Sequence, residues 1–322
     1  MATYKEIHGT KVEVRDDDPA NPVNGQVWYN SQTLKGFKSN PAGSWATATA
    51  VNTARRDAAG LGVQDAAMFI GGEAPRTGKT ELYNGTSWTE VNDLNTGRNQ
   101  LAGGGSQPAA LVFGGETITP NTESWNGSSW TEVNNLNTER RYMTGFGNQP
   151  AAIAVGGFGP GSSTYTAVVE TWNGSSWTET TDLPSATAAL KGCGTQTLGL
   201  VAGGIRPPGS TFTADSFEWD GSSWTSGGSL NTARATMAQA GIQTAALFAG
   251  GNPGSKAVTE SYNGTSFTEV SDLNTGRAQL AGLGTGSTNG AALASGGYIS
   301  SDQSAVEEFT APATSTVSFT VS

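Results

Sequence analysis

A pair of adjacent glycines recurs six times along this chain, and each pair ends a short apolar run such as Ala109–Phe113. Five consecutive apolar residues predict a β-strand that is buried on both faces. Successive pairs are 42 to 47 residues apart, which is typical of a chain built from repeated supersecondary units. The six pairs are Gly71-Gly72, Gly114-Gly115, Gly156-Gly157, Gly203-Gly204, Gly250-Gly251 and Gly296-Gly297.

Each repeat contains three further predicted strands around the apolar one. A stretch of small residues, as in Leu101–Gly105, precedes the apolar run, and two strands joined by a turn follow it, as in Thr122–Val133. The turn contains Asn-Gly or Asp-Gly, which supplies the positive φ that a tight hairpin requires. We label the four strands a, b, c and d, from the centre of the fold outward.

The aromatic residues of strands c and d indicate how the repeats close. The first strand d precedes every glycine pair, and the last strand c has no strand d after it, so we predict that the N-terminal strand completes the C-terminal blade. Such closure leaves only short, protected sheet edges. The predicted fold is therefore all-β, a propeller over residues 43–310 with six blades rather than seven. The aromatics of strand c are Tyr83, Trp125, Trp172, Trp219, Tyr262 and Phe309, and those of strand d are Trp45, Trp88, Trp130, Trp177, Trp224 and Phe267.

This pattern, a double glycine after an apolar strand followed by a spaced aromatic residue and a tryptophan, resembles kelch repeats. The resemblance covers residues 43–310, nearly the whole chain. It implies a kelch-like β-propeller. It says little about function, because propellers serve as enzymes, adaptors and adhesins.

Composition narrows the function classes. The net charge of −10 argues against nucleic acid and against anionic membrane surfaces as partners. No apolar run is long enough to span a bilayer, and Met1–Thr10 has no apolar core of a signal peptide. We therefore expect a protein that is made in the cytoplasm of a host cell and is not inserted into a membrane.

The scarcity of histidine and cysteine argues against catalysis and metal binding. His8 is the only histidine and lies outside the predicted propeller, and Cys193 is the only cysteine. A histidine-based triad or a zinc or copper site therefore cannot form in the ring. Asp16-Asp17-Asp18 lacks the ligand spacing of a calcium loop. We expect no enzymatic activity, no cofactor and no metal.

Five repeats carry an arginine at the start of strand a and a glutamate two residues before the strand c aromatic. A ring of arginines could bind an anionic ligand, whereas an ion pair within each blade would be structural. The fourth repeat has Thr187 and Phe217 at these two positions, so both partners disappear together. This joint loss favours same-repeat ion pairs, namely Arg55 with Glu81, Arg98 with Glu123, Arg140 with Glu170, Arg234 with Glu260 and Arg277 with Glu307.

The connection between strands b and c varies most in length, at 9, 8, 13, 13, 9 and 10 residues along the chain. Variable loops of repeat proteins often bind partners, although they can also be tolerated insertions. Aromatic and arginine side chains anchor interfaces and stack on sugars. We therefore name Tyr165, Arg206, Phe212 and Tyr298 as candidate binding residues.

The two ends of the chain match no blade. Residues 1–42 contain Gly25–Ser31 followed by Leu34-Lys35, a segment that resembles one common in structural proteins of tailed phages, especially marine ones. The resemblance implies an arm that attaches the propeller to a particle. Residues 311–322 alternate like one extra strand, which could pair with the arm or with another subunit. The candidate attachment residues of the arm are Tyr4, Val27, Trp28 and Tyr29.

Together these features predict a non-enzymatic structural or adhesive component of a bacteriophage virion, on its tail, fibre or capsid surface. We expect the arm to bind other virion proteins, the propeller to contact protein or host surface glycan, and the particle to hold several copies. A free lectin-like adhesin and a glycan-cleaving enzyme are the alternatives.

Overall fold

The computed structural model describes residues 13–15, 27–30, 33–40, 43–73, 75–161, 164–282, 290–311 and 313–319. Within these ranges all regular secondary structure longer than a single bridge is β-strand, as the abundance of glycine, asparagine and threonine favours. The described residues contain no helix that could cross a membrane.

The strands group into two sets of sheets. The N-terminal strands are β1 (Glu13–Arg15), β2 (Val27–Asn30), β3 (Thr33–Asn40) and β4 (Ser44–Ala48). Blades 1, 2 and 3 follow as β5 (Ala59–Val63), β6 (Ala66–Ile70), β7 (Thr80–Tyr83) and β8 (Trp88–Val91); β9 (Ala102–Ser106), β10 (Ala109–Phe113), β11 (Thr122–Trp125) and β12 (Trp130–Val133); and β13 (Thr144–Asn148), β14 (Ala151–Val155), β15 (Val169–Trp172) and β16 (Trp177–Glu179).

Blade 4 differs from the others by a small hairpin inserted between its second and third strands. It comprises β17 (Lys191–Gly194), β18 (Gly199–Ala202), the hairpin β19 (Ile205–Arg206) and β20 (Thr211–Phe212), then β21 (Ser216–Trp219) and β22 (Trp224–Ser226). Blade 5 comprises β23 (Ala238–Ile242), β24 (Ala245–Ala249), β25 (Thr259–Tyr262) and β26 (Phe267–Glu269).

The sixth blade joins the two ends of the propeller. Its strands are β27 (Ala281–Gly282), β28 (Ala291–Ser295) and β29 (Val306–Thr310), and β4 adds to β29 as the outer strand. The ring of Trp45 on β4 lies 5.2 Å from the ring of Phe309 on β29, and its indole N–H donates to Thr259 Oγ1 of blade 5 at 3.2 Å. The chain folds as a six-bladed β-propeller closed by its N-terminal strand, which confirms the predicted fold class.

The hydrophobic core lies between neighbouring blades. Leu61 and Ile70 of blade 1, for example, pack with Val112 and Trp125 of blade 2, and all four are buried. Glutamines at the turn between strands a and b also tie each described blade to the preceding one. Gln107 Nε2, for instance, donates to the carbonyl oxygens of Ala67 and Tyr83 at 2.9 and 2.6 Å. The equivalent residues are Gln64, Gln149, Gln196 and Gln243.

The segments outside the propeller form a sheet of their own. The last strand, β30 (Ala313–Phe319), pairs antiparallel with β3, from Leu34 opposite Phe319 to Asn40 opposite Ala313. The sheet order is β1-β2-β3-β30, and the described residues within Met1–Ser44 and Thr310–Ser322 belong to one compact unit, whereas Trp45–Phe309 form another. The C-terminal strand thus pairs with the arm of its own chain.

The predicted arm residues fall partly within this sheet. Val27, Trp28 and Tyr29 lie on β2, where Trp28 is buried and Val27 is half-buried. Tyr4 lies outside the described residues, as do His8 and Asp16-Asp17-Asp18.

Candidate functional site

The five arginine–glutamate pairs are buried inside the blades. In each pair a guanidinium nitrogen lies 2.6 to 2.9 Å from a glutamate oxygen of the same repeat. All ten residues are almost fully buried. An anionic ligand in solution therefore cannot reach the arginines, and the pairs act within the fold. They are Arg55–Glu81, Arg98–Glu123, Arg140–Glu170, Arg234–Glu260 and Arg277–Glu307.

An asparagine joins each pair. In blade 2 the backbone and side-chain nitrogens of Asn95 donate to Glu123 Oε2 at 2.8 and 2.9 Å, while Arg98 binds Oε1. The guanidinium groups also bind backbone carbonyls: Arg140 Nη1 donates to Val168 O at 2.7 Å. Burial lowers the pKa of Arg140, and Glu170 opposes that shift. The carboxylate is therefore well supplied with donors, as a buried charge requires.

Blade 4 replaces this arrangement with another one. Arg206 of its b–c loop donates through Nε to Thr187 Oγ1 at 2.9 Å. Its guanidinium lies 5.5 Å from the ring centroid of Phe217 and forms an ion pair with Asp215. Arg206, predicted as a binding residue, is thus held by the two residues that stand in place of the missing pair.

The b–c loops and the residues that precede strand a lie at the same end of the propeller, which we call the loop face. Isolated β-bridges join the two segments within a blade, for example Arg56 to Glu73 and Arg141 to Phe158. The corresponding bridges in blades 4, 5 and 6 are Ala188 to Ile205, Ala235 to Asn252 and Ala278 to Tyr298.

A groove of about 290 Å³ opens on the loop face among blades 3, 4 and 5. Three of its lining residues are aromatic and four are polar, and no charged side chain lines it. We call it the loop-face groove. Its lining residues are Tyr142, Phe158, Ala189, Ile205, Ser210, Phe212, Ala235, Thr236, Asn252 and Gln279.

The remaining candidate loop residues lie at different distances from this groove. Phe212 lines it directly. Tyr165 supports its wall, because its ring lies 4.8 Å from that of Phe158 and its hydroxyl donates to Ser210 Oγ at 2.7 Å. Tyr298 belongs to blade 6, where the guanidinium of Arg56 lies 4.9 Å from its ring centroid. The structure therefore brings Tyr165 and Phe212 to one site and places Tyr298 elsewhere.

Small residues in blades 4 and 5 leave room for the groove. Each repeat has an arginine at the start of strand a, or Thr187 in blade 4. The next residue is Arg56, Asn99 or Arg141 in blades 1 to 3, and it is alanine in blades 4 to 6. One of these alanines, Ala235, lines the groove, as does Ala189 one position further along the repeat. The groove thus coincides with the part of the ring where side chains at these positions are shortest.

Six residues at equivalent positions encircle the axis at the loop face. All six are non-glycine residues with φ between 51° and 56°, a left-handed conformation that is uncommon outside glycine. Backbone hydrogen bonds link neighbours, such as Gln100 N to Asp57 O at 2.8 Å and Asp57 N to Gln279 O at 3.1 Å. We call this set the axial ring. It comprises Asp57, Gln100, Tyr142, Ala189, Thr236 and Gln279.

Asp57 forms side-chain hydrogen bonds with two other members of the axial ring. Its Oδ2 accepts from the Tyr142 hydroxyl at 3.0 Å and from Gln279 Nε2 at 2.7 Å. Burial raises the pKa of Asp57 to about 6, and burial together with the Asp57 charge raises the pKa of Tyr142. Asp57 and Lys191 both line a small opening at the axis, which Gln100, Tyr142 and Gln279 also line and which we call the axial opening. Burial lowers the pKa of Lys191 there, and the charge of Asp57 opposes the shift. Tyr142 and Gln279 also line the loop-face groove, so the two sites are contiguous.

The described residues contain no group of three or more His, Cys, Asp or Glu side chains that could hold a metal ion. Asp57 is the one carboxylate among the residues that line the loop-face groove or the axial opening. A glycosidase of the usual kind needs two carboxyl groups on either side of the scissile bond. The loop-face groove itself is lined by hydrogen-bonding, aromatic and aliphatic side chains.

Comparison with known proteins identifies the fold alone. No protein-family model and no curated protein matches the chain. The solved structure of YjhT matches with a TM-score of 0.65 at 15% sequence identity, over 83% of this chain and 96% of that one. Chains of this shape are numerous, with 372 solved matches, so the likeness does not distinguish one function from another. The resemblances to kelch repeats and to phage proteins remain predictions.

Sequence reasoning missed the axial ring and its partners. Asp57, Tyr142 and Lys191 each occur once at repeat positions where the other blades carry different residues, and this irregularity was the available signal. The asparagine that joins each ion pair was also missed. Its sequence signal is that blade 4, which lacks the arginine and the glutamate, has Pro184 in place of the asparagine.

Proposed function

We propose that this protein is a non-enzymatic structural and adhesive component of a bacteriophage virion, which presents the loop face of its propeller to a ligand. The observation that carries the proposal is the loop-face groove. It lies where the repeat is least regular, and it combines aromatic walls with a few polar groups, as small-molecule binding sites commonly do.

Binding rather than catalysis is supported by the side chains at this face. Asp57 is held by two hydrogen bonds to its Oδ2 and is the one acidic residue that lines the opening. No histidine, cysteine or carboxylate is among the residues that line the loop-face groove. A ligand that enters the groove would meet hydroxyl, amide and aromatic groups, which hold a molecule without activating a nucleophile.

Attachment through the termini is supported by the separate sheet. Strands β1 and β30 are the two edges of that sheet, and an edge strand can accept a strand of another chain. Because both ends of the polypeptide contribute to it, this unit can bind a neighbouring virion protein without interrupting the ring. The kelch-like repeat and the phage-like segment of the arm are part of the same proposal.

The test is quantitative mass spectrometry of density-purified phage particles from the source sample, scaled to a major capsid protein. We expect a fixed copy number per particle. A chain that lacks residues 1–42 should be lost from the particles, whereas the Phe212→Ala variant, the matched control, should be retained because it alters the loop face only. Absence of the wild-type chain from intact particles would refute the virion assignment and favour a free lectin-like adhesin.

One observation favours the glycan-cleaving alternative, namely that the raised pKa of Asp57, about 6, suits a proton donor near neutral pH. Release of reducing ends from host polysaccharide by the wild-type chain, and its loss in Asp57→Asn, would support that activity. We expect no release from either protein.

A further inference from the structure

We propose that the loop-face groove binds a single uncharged sugar ring. This inference rests on the proposed binding function and specifies the ligand. The volume of about 290 Å³ is at the lower end of small-molecule sites, which suits one ring rather than an extended chain. A longer glycan would place one residue in the groove and the rest over the loops.

The aromatic walls fit the C–H faces of a sugar. Tyr142 and Phe158 stand edge to face with ring centroids 6.2 Å apart, and Phe212 of β20 also lines the groove. Phe158 is fixed by backbone bridges to Arg141 and Tyr165, and Phe212 pairs with Ile205. The ring of Phe158 also packs against the rings of Tyr142 and Tyr165, so this side chain loses little entropy on binding.

The polar lining offers both acceptors and donors to sugar hydroxyls. Gln279 uses its Nε2 on Asp57 and Tyr142, which leaves Oε1 to accept. Ser210 Oγ accepts from Tyr165, so its own proton can be donated. The side-chain amide of Asn252 makes no hydrogen bond to the part of the chain that the structure describes, and it can serve as donor and acceptor.

The charges near the groove disfavour acidic sugars. No lysine or arginine lines the groove. The neighbouring cations have their own anions: Arg206 pairs with Asp215, Arg141 lies 3.4 Å from Glu116, and Lys191 of the contiguous axial opening interacts with the charge of Asp57. Asp57, behind Tyr142 and Gln279, becomes negative above its pKa of about 6. A uronate or sialate would bring a carboxylate to a groove that no cation lines and whose neighbouring cations already face anions.

The test uses the full-length chain at pH 7.5, with saturation-transfer NMR and calorimetry. The probes are the methyl glycosides of glucose, galactose, mannose and N-acetylglucosamine, with methyl glucuronide and N-acetylneuraminic acid as charged comparisons. We expect at least one uncharged probe to bind with a Kd on the order of millimolar, as a ligand of this size allows. The charged probes should bind at least tenfold more weakly.

Two variants assign the binding to the groove. Phe212→Ala removes an aromatic wall, and Asn252→Ala removes an amide without altering the walls; each should weaken the best probe at least tenfold. Ile299→Ala, on the exposed loop of blade 6, is the matched control and should bind like wild type. Unfolding temperatures measured in parallel identify any variant that fails to fold.

Tighter binding of a charged probe, or unchanged affinity in both folded groove variants, would overturn the assignment. Failure of every probe to bind would overturn it as well. None of these results affects the virion assignment, which the copy number in purified particles tests separately.

Discussion

Arg98 and Glu123 form an ion pair of 2.6 Å whose side chains are 1% and 2% exposed to solvent. Removing one partner of such a pair leaves the other charge buried without compensation. Arg98→Ala should therefore lower the free energy of unfolding by about 3–5 kcal/mol. Adding Glu123→Ala should cost little more, because the charge left unpaired by the first substitution is then also removed. Urea unfolding of the two single variants and the double variant measures this coupling.

Lys79 and Glu90 provide the control for that experiment. Their separation is also 2.6 Å, but the two side chains are 34% and 46% exposed. Lys79→Ala should change the free energy of unfolding by no more than about 1 kcal/mol, because water screens the pair. Equal effects of Arg98→Ala and Lys79→Ala, or strictly additive losses in the Arg98/Glu123 cycle, would refute a structural role of the buried pairs.

The replacement arrangement in blade 4 predicts a structural role for Arg206. Arg206→Ala removes the hydrogen bond to Thr187 and the guanidinium over Phe217, and should lower the unfolding free energy by about 1–2 kcal/mol. Arg206→Lys should recover only part of this loss, because an ammonium lacks the planar fork and the Nε donor. Full stability in Arg206→Ala, measured by thermal and urea unfolding, would show that the arrangement contributes nothing.

The raised pKa of Asp57 predicts a pH dependence of stability. The folded protein holds this proton more tightly than the unfolded chain, whose carboxyl titrates near 3.8, so the added stability is fully present below pH 4 and is lost as pH rises through about 6. Asp57→Asn keeps an oxygen that can accept from Tyr142 and Gln279 and does not titrate. Between pH 4 and 6.5 wild type should lose about 2 kcal/mol more than this variant.

Lys191 and Arg56 are the cations that act on Asp57, so a second variant checks the cause. Lys191→Met removes a cation that lowers the pKa of Asp57. The loss of unfolding free energy between pH 4 and 6.5 should therefore be at least as large in this variant as in wild type. Urea unfolding at both pH values measures each protein. Identical pH dependence in wild type and Asp57→Asn would mean that Asp57 does not titrate in this range.

The glycine-rich inner strands predict a strong effect of one added methyl group. A Cβ at Gly145 of β13 would lie 2.5 Å from Cζ of Phe113 and 3.1 Å from the backbone nitrogen of Gly103. Gly145→Ala should therefore lower the unfolding free energy by about 1–3 kcal/mol through overpacking. Gly159→Ala, whose Cβ would have no neighbour closer than 3.8 Å, should stay within about 0.5 kcal/mol of wild type.

The periodic features of the chain were predictable, whereas those that depend on one blade were not. The glycine pairs, the Asn-Gly turns and the two aromatics per repeat specify strands locally, and their unmatched first and last members, Trp45 and Phe309, predict the closure. Nothing local distinguishes Asp57 from an ordinary loop acid, because its partners Tyr142 and Gln279 are distant in sequence and meet it only when the ring has closed.

The same limit applies to the site. Phe212 was named because its loop is long, which is a local property. Its neighbours in the groove, Ala189 and Ala235, leave space because they are small. That space depends on how three blades are arranged, so it could not be predicted from the sequence of one repeat. Arg206 was named by the same rule, and its interactions with Thr187 and Phe217 depend on how its loop returns over blade 4.

The pairing of β4 with β29 also has a consequence for biosynthesis. At about 5–20 residues per second, some tens of seconds separate the appearance of Ala48 from that of Val306 on the ribosome. During that interval β4 has no partner, and the nascent propeller is an open crescent with two unsatisfied edges. On a polysome the neighbouring chain offers the same β29, so strand exchange between copies competes with self-closure. High expression should therefore yield interlinked dimers, and slower initiation of translation should reduce them.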